Sequence, residues 1–213
     1  YYMGMHRQVS YGGLPLAKVI HEDIRDWKSL DINGIVSCQT QRSFYPTGFA
    51  QWVMAEASWN RRRKFEDMAA EYFKGAFGAA AATVRAYFEG LPRAIGPTAH
   101  GRGWRVPASP AQAQRVCDYL RKQGPRLQAA SKKVTAPAHR RALAIVKHFH
   151  RLHAMIWRAL LAEARGKKAE QAALLDRAAA FLRRTEKSLH LYADFSGLIH
   201  MVSELRRESD RSS

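Results

Sequence analysis

Acidic side chains are scarce: 18 Asp and Glu stand against 35 Lys and Arg in 213 residues, a formal net charge of +17. Cysteine is scarcer still. Cys38 and Cys117 match neither a disulfide framework nor the spacing of zinc ligands. No window approaches the roughly 18 uninterrupted apolar residues that a bilayer-crossing helix requires, so no membrane span is expected. The opening YYMGMHRQVSYGG lacks an apolar run long enough for a secretory signal. What is present is the hydrophobic share of a globular chain, 46%, which excludes disorder of the whole. The charge is uneven along the sequence. Residues 1–95 hold 12 Lys+Arg against 9 Asp+Glu, a net of +3, and residues 96–213 hold 23 against 9, a net of +14. That asymmetry suggests two segments with different tasks.

The first 60 residues alternate between short β-type runs and helical periodicity. Tyr1 to His6 is a compact aromatic and apolar run, closed by the turn Tyr11-Gly12-Gly13 and followed by Pro15, a residue favoured in the first turn of a helix. Leu16, Ile20, Trp27 and Leu30 then recur at helical spacing until Asn33-Gly34. Gly34 to Cys38 reads as a short buried strand. Strand, helix, strand, helix favours parallel strands joined by crossover helices, with Met3–Met5 and Ile35–Ser37 adjacent in space. Further helices are expected through Trp52 to Trp59, ended by Asn60, and from Phe65 to Phe77, capped by Gly78. A third runs from Ala79 to Leu91, with Val84, Tyr87 and Phe88 as its apolar side. Between these helices Arg61-Arg62-Arg63-Lys64 forms a cationic connector.

Loops after parallel strands open onto one shared face, so polar residues there are the candidates for a site. His6 and Arg7 follow the first strand; Gln39, Gln41 and Arg42 follow the second, with Tyr45 beside them. Cationic forks, amide donors and flat rings suit a carbohydrate, although ordinary loop polar groups and core aromatics would give the same pattern. Glycoside hydrolysis needs two carboxylates flanking the scissile bond, and these loops carry none. Glu22, Asp23 and Asp26 fall on the crossover helix, where charges face solvent.

Four strings carry a family resemblance: YYMGMHRQVSYGGLPL, NGIVSCQ, the W-x-x-x-x-x-x-W helix that ends in Trp59-Asn60, and EYFKGAFGAAA. Over residues 1 to about 91 the chain resembles the C-terminal part of domain of unknown function 4838. That family in turn is similar to the α-glucuronidases of glycoside hydrolase family 67. The resemblance implies a mainly α chain with a small parallel β element, namely the last two βα units of a (β/α)8 barrel followed by a C-terminal helical bundle. It implies a fragment of a carbohydrate-active protein, glycoside hydrolase-like, acting on glycosidic bonds of uronic acid sugars among others when complete. His6, Arg7, Gln39, Gln41, Arg42 and Tyr45 would then bind substrate, without a cofactor or metal. A whole barrel takes about 250 residues, so the acid and base are expected upstream of Tyr1 and this chain alone would be inactive. The family is compatible with an exported bacterial protein.

The expected division is 1–60 as the end of the barrel, 61–95 as a helical extension, 96–110 as a linker and 111–213 as a basic helical bundle. Pro92, Pro97, Pro107 and Pro110 punctuate the boundary. Beyond it, helical composition covers Ala111–Ser131, interrupted at Gly124-Pro125, then Ala138–Ala164 and Lys167 to about Arg207. Ile145, Phe149, Leu152, Ile156 and Leu160 form one apolar stripe, and a small antiparallel bundle is the economical way to bury it. His148, His150 and His153 share that helix, but only the last two share a face, and no nearby carboxylate completes a metal set. The cations Arg140, Arg141, Lys147, Arg151, Arg158, Arg183 and Arg184 read either as a solvated surface or as phosphate contacts. A competing expectation is therefore a non-enzymatic basic helical module that binds nucleic acid or another anionic polymer.

Overall fold

Apolar residues spaced three and four apart, separated by Pro and Gly signals, produce a succession of helices. The structure is a computed structural model that describes residues 13–36, 44–96 and 109–211. The helices are α1 (Leu14–Asp26), α2 (Phe49–Trp59), α3 (Phe65–Phe77), α4 (Ala81–Ile95), α5 (Pro110–Lys132), α6 (Pro137–Ala164), α7 (Lys168–Leu189) and α8 (Phe195–Arg211).

Local chemistry sets most boundaries. α1 starts with Pro15 in its first turn, where a missing N–H costs nothing. It buries Ala17, Ile20, His21 and Ile24, then tightens into a 3-10 turn at Trp27–Leu30 that closes on Asp31 in the left-handed region, φ 52°. That tightening rotates Leu30 off the apolar stripe, leaving it 63% exposed rather than buried. α3 ends at Gly78, whose φ of 52° with ψ of −123° is open only to glycine; a Cβ there would lie 2.4 Å from His139 Nδ1. Ser109 caps α5 by accepting the Gln112 N–H at 3.2 Å, with Pro110 following it.

Each helix packs on the next in sequence, and α3 also touches α6 while α1 touches α4. α6 is the central element. Twelve of its residues are buried, too many for one stripe, because α5, α7 and α3 surround it. Ile145, Phe149, Leu152, Ile156 and Leu160 all lie in the core, as their spacing implies. One contiguous apolar cluster runs from Ala17 to Leu205. The Pro/Gly-rich stretch therefore does not separate two independent cores.

Several expectations need correction. The strand expected over Gly34–Cys38 does not form over its described part: Gly34, Ile35 and Val36 are irregular, and Ile35 and Val36 are exposed. A strand without a ladder leaves its N–H and C=O groups unpaired and its apolar side chains without a face to cover. Met3–Met5, Ser37 and Cys38 lie outside the described residues. Among the described residues no strand occurs, so the helical part of the expected fold stands and the barrel part is not supported. Pro92 does not open the linker but sits inside the last turns of α4. α5 likewise continues through Gly124-Pro125. An interior proline costs a helix about 3 kcal/mol, against which the burial of Leu120 and Leu127 on either side of it works. The last helical stretch is two helices, broken between Leu189 and Phe195, which lets α8 fold back on α7.

Candidate functional site

A concave surface lies between α1 and the connector from α2 to α3, a groove of about 1080 Å³. Its geometry begins with Asn60. The backbone leaves the helix there (φ −141°, ψ 94°), and the Asn60 Oδ1 accepts the Arg62 N–H at 3.0 Å while its carbonyl accepts the Arg63 N–H at 3.1 Å. This tight turn throws Arg61 and Arg62 outward and brings Arg63 back. The Arg63 guanidinium bridges Glu56 on α2 and Glu71 on α3. Its carbonyl accepts a hydrogen bond from His21 Nε2 at 2.8 Å, so His21, itself buried, ties α1 to the connector. The His21 ring rests 5.7 Å from that of Phe65.

On that scaffold, one wall carries Lys18, Arg25 and Lys28, recurring at helical spacing, and the other carries Arg61, Arg62 and Lys64. Counting Arg63, seven cationic side chains and two carboxylates line the groove. Both carboxylates are engaged: Glu22 lies 4.0 Å from Lys18, and Glu66 pairs with Arg85. Among the described residues Arg25, Lys28, Arg61, Arg62 and Lys64 form no ion pair. Trp59 closes α2 beside them with its indole 92% exposed. It follows Ala57 by two residues and so leaves the stripe of Phe49, Val53 and Ala57. The signal in the sequence was the string Trp59-Asn60-Arg61-Arg62-Arg63-Lys64, an aromatic at a helix end abutting a cationic run.

Of the residues expected to bind sugar, His6, Arg7, Gln39, Gln41 and Arg42 lie outside the described residues. Tyr45 does not face a cleft: it is 4% exposed, with its ring edge against Phe149 at 5.8 Å. Its hydroxyl lies 2.9 Å from His148 Nδ1, and His148 Nε2 lies 2.8 Å from Thr185 Oγ1. Thr185 Oγ1 donates to the Phe181 carbonyl at 2.9 Å, so it accepts from His148 Nε2–H, which leaves Nδ1 to accept from Tyr45. This chain joins the segment before α2 to α6 and α7. Burial, assisted by the nearby Arg151, pushes His148 down to about 4. Burial likewise raises the Tyr45 phenol well above its usual range.

His150 and His153 on α6 are also packing groups. His153 lies against Phe149 with ring centroids 3.9 Å apart, and burial lowers it to about 3. His150 meets the ring of Tyr87 at 5.8 Å. Among the described residues no three His, Cys, Asp or Glu gather as a metal site, and no helix is long and apolar enough to cross a membrane. Cys117 is partly buried, and burial raises its thiol. Compared with protein-family models, curated proteins and solved structures, the chain matches none.

Proposed function

We propose that this chain is a non-enzymatic basic helical module that holds an anionic polymer in the groove between α1 and the α2–α3 connector. The observation that carries the reading is the set of five cations there without an ion pair among the described residues. Like charges gathered in a concave surface repel one another and focus a positive potential into it. A polyanion relieves that repulsion, and the counterions it releases supply the binding free energy. Retention on immobilised heparin tests it. Charge reversal at Arg61 and Arg62 lowers the salt needed for elution, whereas reversal at Arg183 and Arg184 on α7 changes it less. Equal shifts from both pairs would make the binding diffuse and refute the groove.

A second reading rests on the resemblance carried by residues 1 to about 91. In it the chain is the C-terminal part of a glycoside hydrolase-like protein that acts on glycosidic bonds of uronic acid sugars when complete. His6, Arg7, Gln39, Gln41 and Arg42 would hold the sugar. In the full-length protein Arg42→Ala should weaken binding of an acidic sugar much more than that of its neutral counterpart. Equal weakening would make Arg42 structural.

A further inference from the structure

The groove differs from a plain cationic patch in two respects. Among the described residues that line it, the one large exposed apolar side chain is Trp59, set at the end of α2 in the same groove as Arg61 and Arg62. Its charged hydrogen-bonding groups are mostly donors: seven cationic side chains face two carboxylates, of which Glu66 has one oxygen on Arg85 and Glu22 lies 4.0 Å from Lys18, while Asn60 Oδ1 is used on the Arg62 N–H and His21 Nε2 on the Arg63 carbonyl. Arginine, lysine and indole N–H groups donate and do not accept. A sugar chain, acidic or neutral, presents hydroxyls that each bring a donor as well as an acceptor. Phosphodiester oxygens only accept.

A duplex keeps its bases stacked on one another, so it would present phosphates to the cations but no free base face to Trp59. A single strand offers both, and an aromatic platform beside a cationic track is how proteins hold unpaired bases. Resting on the polyanion reading above, we infer that the groove binds single-stranded nucleic acid, with Trp59 stacking on one base and Arg61, Arg62, Arg25 and Lys28 holding the flanking phosphates.

The test is fluorescence anisotropy of a labelled short oligothymidylate against the whole chain, with its duplex and polygalacturonate as competitors. The oligonucleotide binds, and four phosphate contacts give log K a slope against log salt of about −2.8, an affinity loss of about 50-fold between about 50 and 200 mM salt. Trp59→Ala costs about tenfold and Trp59→Phe restores most of it; the side chain is solvent-exposed, so neither change threatens the fold. Arg61→Ala with Arg62→Ala makes the slope shallower by about 1.4. If Trp59→Ala binds the oligonucleotide as the parent does, or if the duplex competes better than the single strand, stacking is refuted while the polyanion reading stands. Preference for polygalacturonate replaces the nucleic acid with an acidic glycan and overturns this inference alone. No salt-dependent binding of any of the three overturns both.

Discussion

Replacing Tyr45 with Phe removes one oxygen from the core and leaves the ring in place against Phe149. The hydroxyl donates to His148 Nδ1 at 2.9 Å, and His148 Nε2 is committed to Thr185. Without Tyr45, Nδ1 becomes a buried acceptor with no partner and no route to water, since His148 is itself buried against Phe181 and Phe195. Stranding a buried polar group costs about 1–3 kcal/mol. In a chain of this size that corresponds to a fall in Tm of roughly 2–12 °C. Urea unfolding at pH 7.5, followed by circular dichroism, should show a lower midpoint with an unchanged slope. His148→Phe keeps a ring on Phe181 but strands the Tyr45 hydroxyl instead. The double variant strands neither group, so it should be more stable than the sum of the two losses by about 1 kcal/mol or more. A Tyr45→Phe change of less than about 0.5 kcal/mol, or strict additivity, would show that the hydroxyl reaches water and would refute the buried chain.

Acid should weaken the fold earlier than carboxylate titration alone. His148 and His153 titrate at about 4 and about 3 when folded, against 6.5 when free. Below 6.5 the unfolded chain therefore binds more protons, and stability that is complete above that pH falls on acidification towards pH 4, by up to about 1.4 kcal/mol per pH unit for each histidine. Unfolding free energies unchanged between pH 7 and pH 5 would contradict the burial of both rings. Gly78→Ala forces a Cβ into the His139 imidazole at a backbone angle that only glycine adopts freely, and should cost more than about 1 kcal/mol in urea unfolding. Gly75→Ala, with open space around it and an ordinary helical backbone, should be neutral or stabilising in the same assay. Ser109→Ala removes the cap on the Gln112 N–H and should cost about 1 kcal/mol, read as a lower Tm.

Helical periodicity alone placed α3 from Phe65 to Phe77, the stop at Asn60, the glycine at 78 and the core stripe of α6 from Ile145 to Leu160. Those features rest on local signals, since i, i+3 and i+4 neighbours meet within one helix whatever surrounds it. The excess of cations on the connector at 61–64 was equally legible. Tertiary packing decided the rest. Pro92 and Pro125 read as breakers, yet burial of their neighbours carries the helices through them. Ile35 and Val36 read as a buried strand, but strand pairing is a contact between distant segments and none covers them among the described residues. Tyr45 looked like a binding residue because a loop aromatic beside cations has the same composition whether it turns to solvent or to a core. Only the approach of α6, 103 residues away, makes it the donor to His148. Trp59 is the converse case. The sequence placed it on the helix that Asn60 ends without giving it a face, and two positions past Ala57 the 100° step of the helix turned it outward into the groove that Arg61 and Arg62 also line.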